Sequence, residues 1–306
     1  MSDVERAAAA LRAGNLVILP TETVYGLAAA AADPAAIARI FEAKSRPRFN
    51  PLIAHVSDRA MAERIAALPP LAARLAEAFW PGPLTLVVPI SDPAAVCDLA
   101  RAGLDTVALR APAHALAQAV IAAFGGPVCA PSANRSGRPS PTTHADAVEE
   151  TGASAAVALD GGPCTVGVES TVVSIIGGEA RLLRPGGLER KAIETLIGPL
   201  AASSEDAHRS PGRLALHYAP NAPVRLNVDA PAPGEAWLAF GPALPNPLTL
   251  NLSPAGDLRE AAANLFAYLR AADRLSPSAI AVAPIPDHGL GEAINDRLKR
   301  AAGFVG

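Results

Sequence analysis

Short apolar runs alternate with alanine-rich helical stretches from residue 3 onward, and this alternation restricts the chain to an α/β fold. Residues 3–13 read as a helix stopped by Gly14, and Leu16–Leu19 as a short buried strand ending at Pro20. Asp33 followed by Pro34 is a cap with proline in the first turn, opening a helix to about Ala43. Leu52–Val56 reads as a strand, after which Ser57 and Asp58 cap another helix. Further strands are expected at Leu84–Val88, Thr106–Leu109, Val128–Ala130, Ala155–Leu159, Thr171–Ile176 and Arg181–Leu183, with a helix over Pro112–Phe124. Gly177-Gly178 reads as a hairpin turn, so parallel and antiparallel pairing should coexist in one sheet.

The texture changes near residue 199. Pro199, Ser203, Ser204, Pro211, Gly212, Pro220 and Pro223 crowd a stretch with little periodicity. The expected division is a catalytic domain over 1–198, a linker or lid over 199–223 and a smaller α/β domain over 224–306. In the last part Glu235–Phe240, Leu248–Leu252 and Ala279–Ala283 read as strands, and Leu258–Asp273 and Gly291–Ala302 as helices. No run approaches ~18 uninterrupted apolar residues and the N-terminus lacks a secretory core, so no membrane span is expected. Three widely spaced cysteines, Cys97, Cys129 and Cys164, form neither a disulfide framework nor a zinc pattern, and a cytoplasmic setting is expected.

Phosphate-binding G-x-x-x-x-G-K-[ST], dinucleotide-binding G-x-G-x-x-G, the zinc motif H-E-x-x-H and the nucleophile elbow G-x-S-x-G are all absent, and paired carboxylates are missing from the loops of the first part. The loops after the strands instead carry hydroxyls, amides and cations. Thr21-Glu22-Thr23-Val24-Tyr25-Gly26 follows the first strand, where ligands of open α/β sheets bind. Lys44-Ser45-Arg46-Pro47-Arg48 puts three cations in five residues, suited to a polyphosphate or carboxylate or simply solvated. Arg110 ends a buried strand and needs a partner, either a bound carboxylate or a structural Asp or Glu. His55 sits in an apolar strand, where a satisfied core histidine is the plainer alternative. Ser132-Ala133-Asn134-Arg135-Ser136-Gly137-Arg138-Pro139-Ser140 is a loop of neutral donors able to cradle phosphate or ribose. Only three of 26 basic residues are lysine, so Lys44 in the densest cationic loop suggests that the position needs lysine itself. Two of three tyrosines, Tyr25 and Tyr218, also fall in these segments and are candidates on the same ground.

PTETVYGL, KSRP with NPL and His55, TVALRAP, SANRSGRPSPT, EST with VV, and LRPG, in this order and followed by HYAP in the linker, resemble the YrdC-domain family of threonylcarbamoyl-AMP synthases in its long form. The resemblance implies a YrdC-like twisted mixed sheet with helices, plus a smaller C-terminal Rossmann-like α/β domain. It implies formation of threonylcarbamoyl-adenylate from L-threonine, bicarbonate and ATP, with Mg²⁺ carried mainly by the ATP phosphates. It implies hand-over to a tRNA threonylcarbamoyl transferase complex that modifies adenosine next to the anticodon. Thr23, His55, Arg110, the Ala130 backbone and Ser170 would take L-threonine and bicarbonate, with Arg110 on the carboxylate. Lys44 and Arg46, the catalytic pair, would face the phosphates, with Asn50, Thr106, Ser132, Asn134, Ser140, Arg184 and Tyr218 holding the rest of ATP. Ser174 departs from the acidic residue common in the family after its STVV-like segment and carries no site role. The competing reading is an RNA-binding or ribosome-associated module without turnover, and the net charge of −3 speaks against a large nucleic-acid footprint, leaving direct tRNA binding weak or transient at most.

Overall fold

A computed structural model describes residues 1–47, 49–201, 217–244 and 246–303; Arg48 and residues 202–216 of the expected linker lie outside the described residues. Helix α1 (Asp3–Arg12) starts from a reciprocal cap between Ser2 and Glu5 and buries Ala7, Ala8, Ala10 and Leu11. Strands β1 (Leu16–Leu19) and β2 (Gly26–Ala30) follow, then α2 (Pro34–Lys44), whose first amides bond the Asp33 carboxylate. β3 (Ile53–His55), α3 (Arg59–Ile65), α4 (Pro70–Phe79), β4 (Leu84–Pro89), α5 (Asp98–Arg101), β5 (Thr106–Arg110), α6 (Ala115–Phe124) and β6 (Val128–Cys129) come next. The body closes with α7 (His144–Thr151), β7 (Ala155–Ala158), β8 (Thr171–Ile176), β9 (Glu179–Arg184) and α8 (Arg190–Ile197).

The nine strands form one mixed sheet in the order β7-β1-β2-β6-β3-β5-β4-β8-β9. β1/β7, β3/β5 and β4/β8 pair in parallel, and the remaining neighbours are antiparallel. β8 and β9 meet at Gly177-Gly178. The parallel β3/β5 register sets His55 opposite Arg110, so two expected site residues leave the sheet side by side.

Two differences from the expected elements have structural causes. β2 is a strand although Gly-Leu-Ala-Ala-Ala has little β-propensity. Its small residues let it lie against the chain around Ala130: a Cβ on Gly26 would meet the Ala130 Cβ at 3.0 Å. Helix α6 begins at Ala115 and not at Pro112, because after β5 ends at Arg110 the chain runs on to His114, whose extended backbone takes the N-cap position.

β10 (Val224–Arg225), β11 (Ala236–Ala239), β12 (Thr249–Asn251), α9 (Leu258–Arg274), β13 (Ile280–Val282) and α10 (Leu290–Ala301) build a second body. Its sheet is parallel throughout, in the order β10-β13-β11-β12. The cores of the two bodies interlock, since Val24 and Val168 of the first pack with Tyr218, Phe266 and Leu265 of the second. Gly167 allows this approach: its φ is +76° and a Cβ there would lie 2.4 Å from Ala262 O. Among the described residues no helix is long and apolar enough to cross a membrane.

Candidate active site

The ends of β1, β3, β5 and β8 open into one cleft, roofed by His217 and Tyr218. Thr23, Arg46, His55, Arg110, Ala130, Ser132, Ser170, Arg184 and Tyr218 line it, together with Glu169 and His217. Three guanidinium groups therefore face a space that contains one carboxylate. Arg110 is held from three sides: its Nη2 lies 2.6 Å from Glu22 Oε1, its Nη1 donates to Thr23 Oγ1 at 2.8 Å, and its Nε donates to Gly82 O at 3.2 Å. The structural partner anticipated for this cation is thus Glu22, and the side chain still lines the cleft. Arg184 donates to Ser170 O at 2.8 Å, and Ser170 Oγ lies 2.7 Å from Thr85 Oγ1. Arg46 donates to Pro51 O at 3.4 Å, and among the described residues its buried Nε has no hydrogen-bond partner. His55 lines the cleft, and among the described residues its buried Nδ1 has no hydrogen-bond partner.

Five expected site residues are buried close by without lining the cleft. Lys44 is 1% exposed; its Nζ donates to Ser132 O at 2.5 Å and to Asn134 O. Asn134 Nδ2 bonds Arg135 O and Arg138 O, within its own loop. Ser140 donates to Glu169 Oε1 at 2.6 Å. The Asn50 backbone N–H donates to Pro47 O at 3.4 Å. Thr106 opens β5, roughly four residues and ~13 Å of strand away from Arg110. Tyr25 also points elsewhere, its hydroxyl bonded to Gly162 O and accepting from Gly161 N. Ser174 is buried in β8 away from the cleft lining.

Two family models match the chain. One covers residues 9–186, the Sua5/YciO/YrdC model described as telomere recombination. The other, described as threonylcarbamoyl-AMP synthase, C-terminal domain, covers 188–303. A threonylcarbamoyl-AMP synthase of Pyrococcus abyssi is 40% identical over 320 aligned positions, spanning 97% of this chain and 93% of its own. One from Bacillus subtilis is 38% identical over 322, spanning 98% and 93%. The chain belongs to the threonylcarbamoyl-AMP synthase family. The crystal structure of P. abyssi Sua5 complexed with L-threonine matches with a TM-score of 0.90 at 38% identity, covering 99% of this chain and 96% of that one. As a member of this family the chain is an enzyme, and its cleft at the strand ends is the candidate active site.

Threonylcarbamoyl-AMP synthase motifs alone did not single out four groups that the structure brings to this site: Glu22, Glu169, His217 and Arg297. Glu22 and Glu169 are both buried, each beside an arginine and not beside each other. Glu169 accepts from Arg297 Nε at 2.8 Å, a contact from the second body. Arg297 is 0% exposed and lies 5.5 Å from the Tyr218 ring centroid. Burial works to raise the Glu169 pKa, but the charges of Arg297 and Arg184 and the Ser140 hydroxyl outweigh it and hold the carboxyl at about 2. Among the described residues no three His, Cys, Asp or Glu side chains meet in a way that could hold a metal ion.

These shifts predict acid sensitivity. Burial, with the neighbouring charge of Arg110, pulls His55 down to about 3, and burial likewise pulls His217 to about 3. In the unfolded chain a histidine binds its proton near 6.5, so between about 6.5 and 3 the unfolded state holds more protons and stability falls with pH. Glu169 acts in the same direction: its depressed pKa stabilises the fold above ~4.5 and that contribution is lost as pH falls toward 2. Thermal melts from pH 8 to 4 should show the melting temperature dropping below pH ~6.5. In the same range Glu169→Gln should flatten only the limb below pH ~4.5, and a melting temperature level from pH 7 to 5 contradicts the buried neutral histidines.

Proposed function

We propose that the cleft joins L-threonine, bicarbonate and ATP into L-threonylcarbamoyl-adenylate. The threonine nitrogen and bicarbonate form N-carboxy-threonine with loss of water, its carbamate oxygen attacks the α-phosphorus, and pyrophosphate leaves. No protein nucleophile enters this sequence, so the protein's part is to align the reactants and neutralise charge. The observation that carries the reading is the convergence of Arg46, Arg110 and Arg184 with the Thr23, Ser132 and Ser170 hydroxyls on one space at the strand ends. The similar P. abyssi structure, complexed with L-threonine, supports the amino-acid part.

In this reading Thr23, His55, Arg110, the Ala130 backbone and Ser170 form the threonine and bicarbonate end. Lys44, Arg46, Asn50, Thr106, Ser132, Asn134, Ser140 and Arg184 serve the nucleotide end, and Tyr218 closes over it as a lid. Mg²⁺ rides on the phosphates, because the nearest carboxylates, Glu22 and Glu169, already face Arg110 and Arg297. The product passes in the cytoplasm to a tRNA threonylcarbamoyl transferase complex. Mass detection of threonylcarbamoyl-AMP in mixtures of ATP, threonine, bicarbonate and Mg²⁺, with single omissions, tests the reading. Pyrophosphate release that persists without threonine overturns it, and tight salt-dependent tRNA binding without turnover favours an RNA-binding module instead.

Arg110→Ala should raise KM for threonine about 10- to 100-fold, the loss of a charged hydrogen bond worth ~1.5–3 kcal/mol. Glu22→Gln keeps the shape but loosens the grip on the guanidinium, so its increase should be about threefold to tenfold. Initial rates against threonine at saturating ATP measure both, and equal KM values in Arg110→Ala and wild type remove Arg110 from carboxylate recognition.

A further inference from the structure

The loop that carries Ser132, Asn134 and Ser140 is not held by its own body alone. Arg270, on the inner face of α9, is 4% exposed and reaches back across the body boundary. Its Nη1 donates to Glu150 Oε1 at 3.0 Å, and its Nη2 donates to Pro139 O. Glu150 lies at the end of α7 with its side chain 1% exposed, and it also accepts the Arg135 backbone N–H at 3.0 Å. One guanidinium therefore ties both flanks of the loop, through Glu150 at residue 135 and directly at residue 139. The neighbouring Asp273 extends the contact: it accepts from Asn221 and Ala222 on the chain leaving the roof, and Asn221 Oδ1 accepts from Arg138 at 2.6 Å.

A buried ion pair of this kind is a poor way to gain stability. Removing two charges from water offsets most of their attraction, and apolar residues of the same size serve as well or better. What the pair does provide is direction, because a planar fork fixes two acceptors relative to each other. Here those acceptors are Pro139 O and the Glu150 carboxylate that holds the Arg135 N–H, so the fork acts on a loop that lines the cleft at Ser132. The next residue after Pro139 is Ser140, which bonds the cleft carboxylate Glu169.

We propose that Arg270 is a positioning residue of the nucleotide end: by pinning Glu150 and Pro139 O together it fixes the 132–140 loop, so that α9 sets ATP affinity without itself lining the cleft. The inference rests on the proposed reaction for its kinetic readout and has a structural readout that does not. Arg270→Gln should raise KM for ATP about tenfold while KM for threonine stays within about twofold. Amides of the loop, with Ser136 bonded to Lys44 O and Arg138 to Arg135 O, should exchange hydrogen about tenfold faster than in the wild type.

Arg270→Gln also leaves Glu150 short of a partner and lowers the melting temperature, so the double variant Arg270→Gln/Glu150→Gln separates the two roles. With no buried carboxylate left over, it should regain most of the melting temperature, yet keep the raised KM for ATP, because Pro139 O is still unheld. Recovery of the ATP KM together with the melting temperature overturns the proposal, as does a parallel rise of both KM values. If the wild type makes no threonylcarbamoyl-AMP, the proposed reaction fails. The clamp is then judged on exchange alone, and loop amides as protected in Arg270→Gln as in the wild type reject it.

Discussion

Arg46→Ala is expected to lower kcat/KM by about 100- to 1,000-fold while shifting the melting temperature by less than about 2 °C. Both halves follow from how poorly Arg46 is compensated in the folded chain. Its Nη2 reaches Pro51 O at 3.4 Å, and among the described residues its buried Nε has no partner and no carboxylate forms an ion pair with it. Burial, with the charge of Arg184 nearby, brings its pKa down to about 10, so it is still a cation at neutral pH. Holding an uncompensated cation on a cleft wall destabilises the fold, and truncating it removes that burden along with some packing. The catalytic side has no such offset. A preorganised donor aimed at developing phosphate charge is worth ~2.7–4 kcal/mol, which sets the expected range. Pyrophosphate release and a thermal melt on the same preparation measure both quantities. A rate within tenfold of wild type removes Arg46 from the chemistry, and a melting temperature lower by more than about 5 °C shows that the side chain holds the fold instead.

Local signals in the sequence carried the elements whose determinants are local. β1 and β8 are apolar runs bounded by turn residues and lie where the pattern puts them. The starts of α2, α3 and α9 follow from Asp33, Asp58 and Asp257, each of which caps backbone amides. β2 was not legible, because what makes Gly26–Ala30 a strand is the chain around Ala130, a hundred residues away. The order of strands is equally non-local: β6 inserts between β2 and β3, and no periodicity announces that.

The site divides in the same way. Side chains that leave strand ends, such as Thr23, His55, Arg110 and Ser170, are where their loops predict. Groups arriving from the second body were invisible as site residues, since Arg297 meets Glu169 across 128 positions of sequence. A trace of them was nevertheless present. Arg297 falls on the same α10 face as Leu290, Ala293, Ile294 and Leu298, and Arg270 shares a face with Phe266 on α9. A cation on the apolar stripe of a helix must find a buried acceptor, and that rule points to a contact between bodies even where it cannot name the partner.

Lys44→Met should lower kcat/KM at least about 100-fold, and Lys44→Arg should not restore it. The scarcity of lysine in this chain marked the position, and the geometry says what an ammonium does there. Nζ bridges Ser132 O and Asn134 O, while the Lys44 carbonyl accepts from Ser136 N at 2.8 Å, so one residue joins the last turn of α2 to the loop on both sides. Burial, with the charge of Arg46 beside it, pulls the Lys44 pKa well below the usual lysine value. A guanidinium is larger and planar and has no room in a place 1% exposed. Methionine keeps the volume but leaves two buried carbonyls unsatisfied, at roughly 1–3 kcal/mol each. Relief of the buried ammonium is of similar size and opposite sign, so the melting temperature should change by only a few degrees. The rate has no compensating gain, because the carbonyls released are those that present Ser132 to the cleft. Hydrogen exchange separates a positioning lysine from one that touches phosphate alone: in Lys44→Met the loop amides should lose protection in the absence of any nucleotide. Amides that exchange as in the wild type, together with a large loss of rate, would mean that Nζ leaves the carbonyls and acts on the phosphates directly.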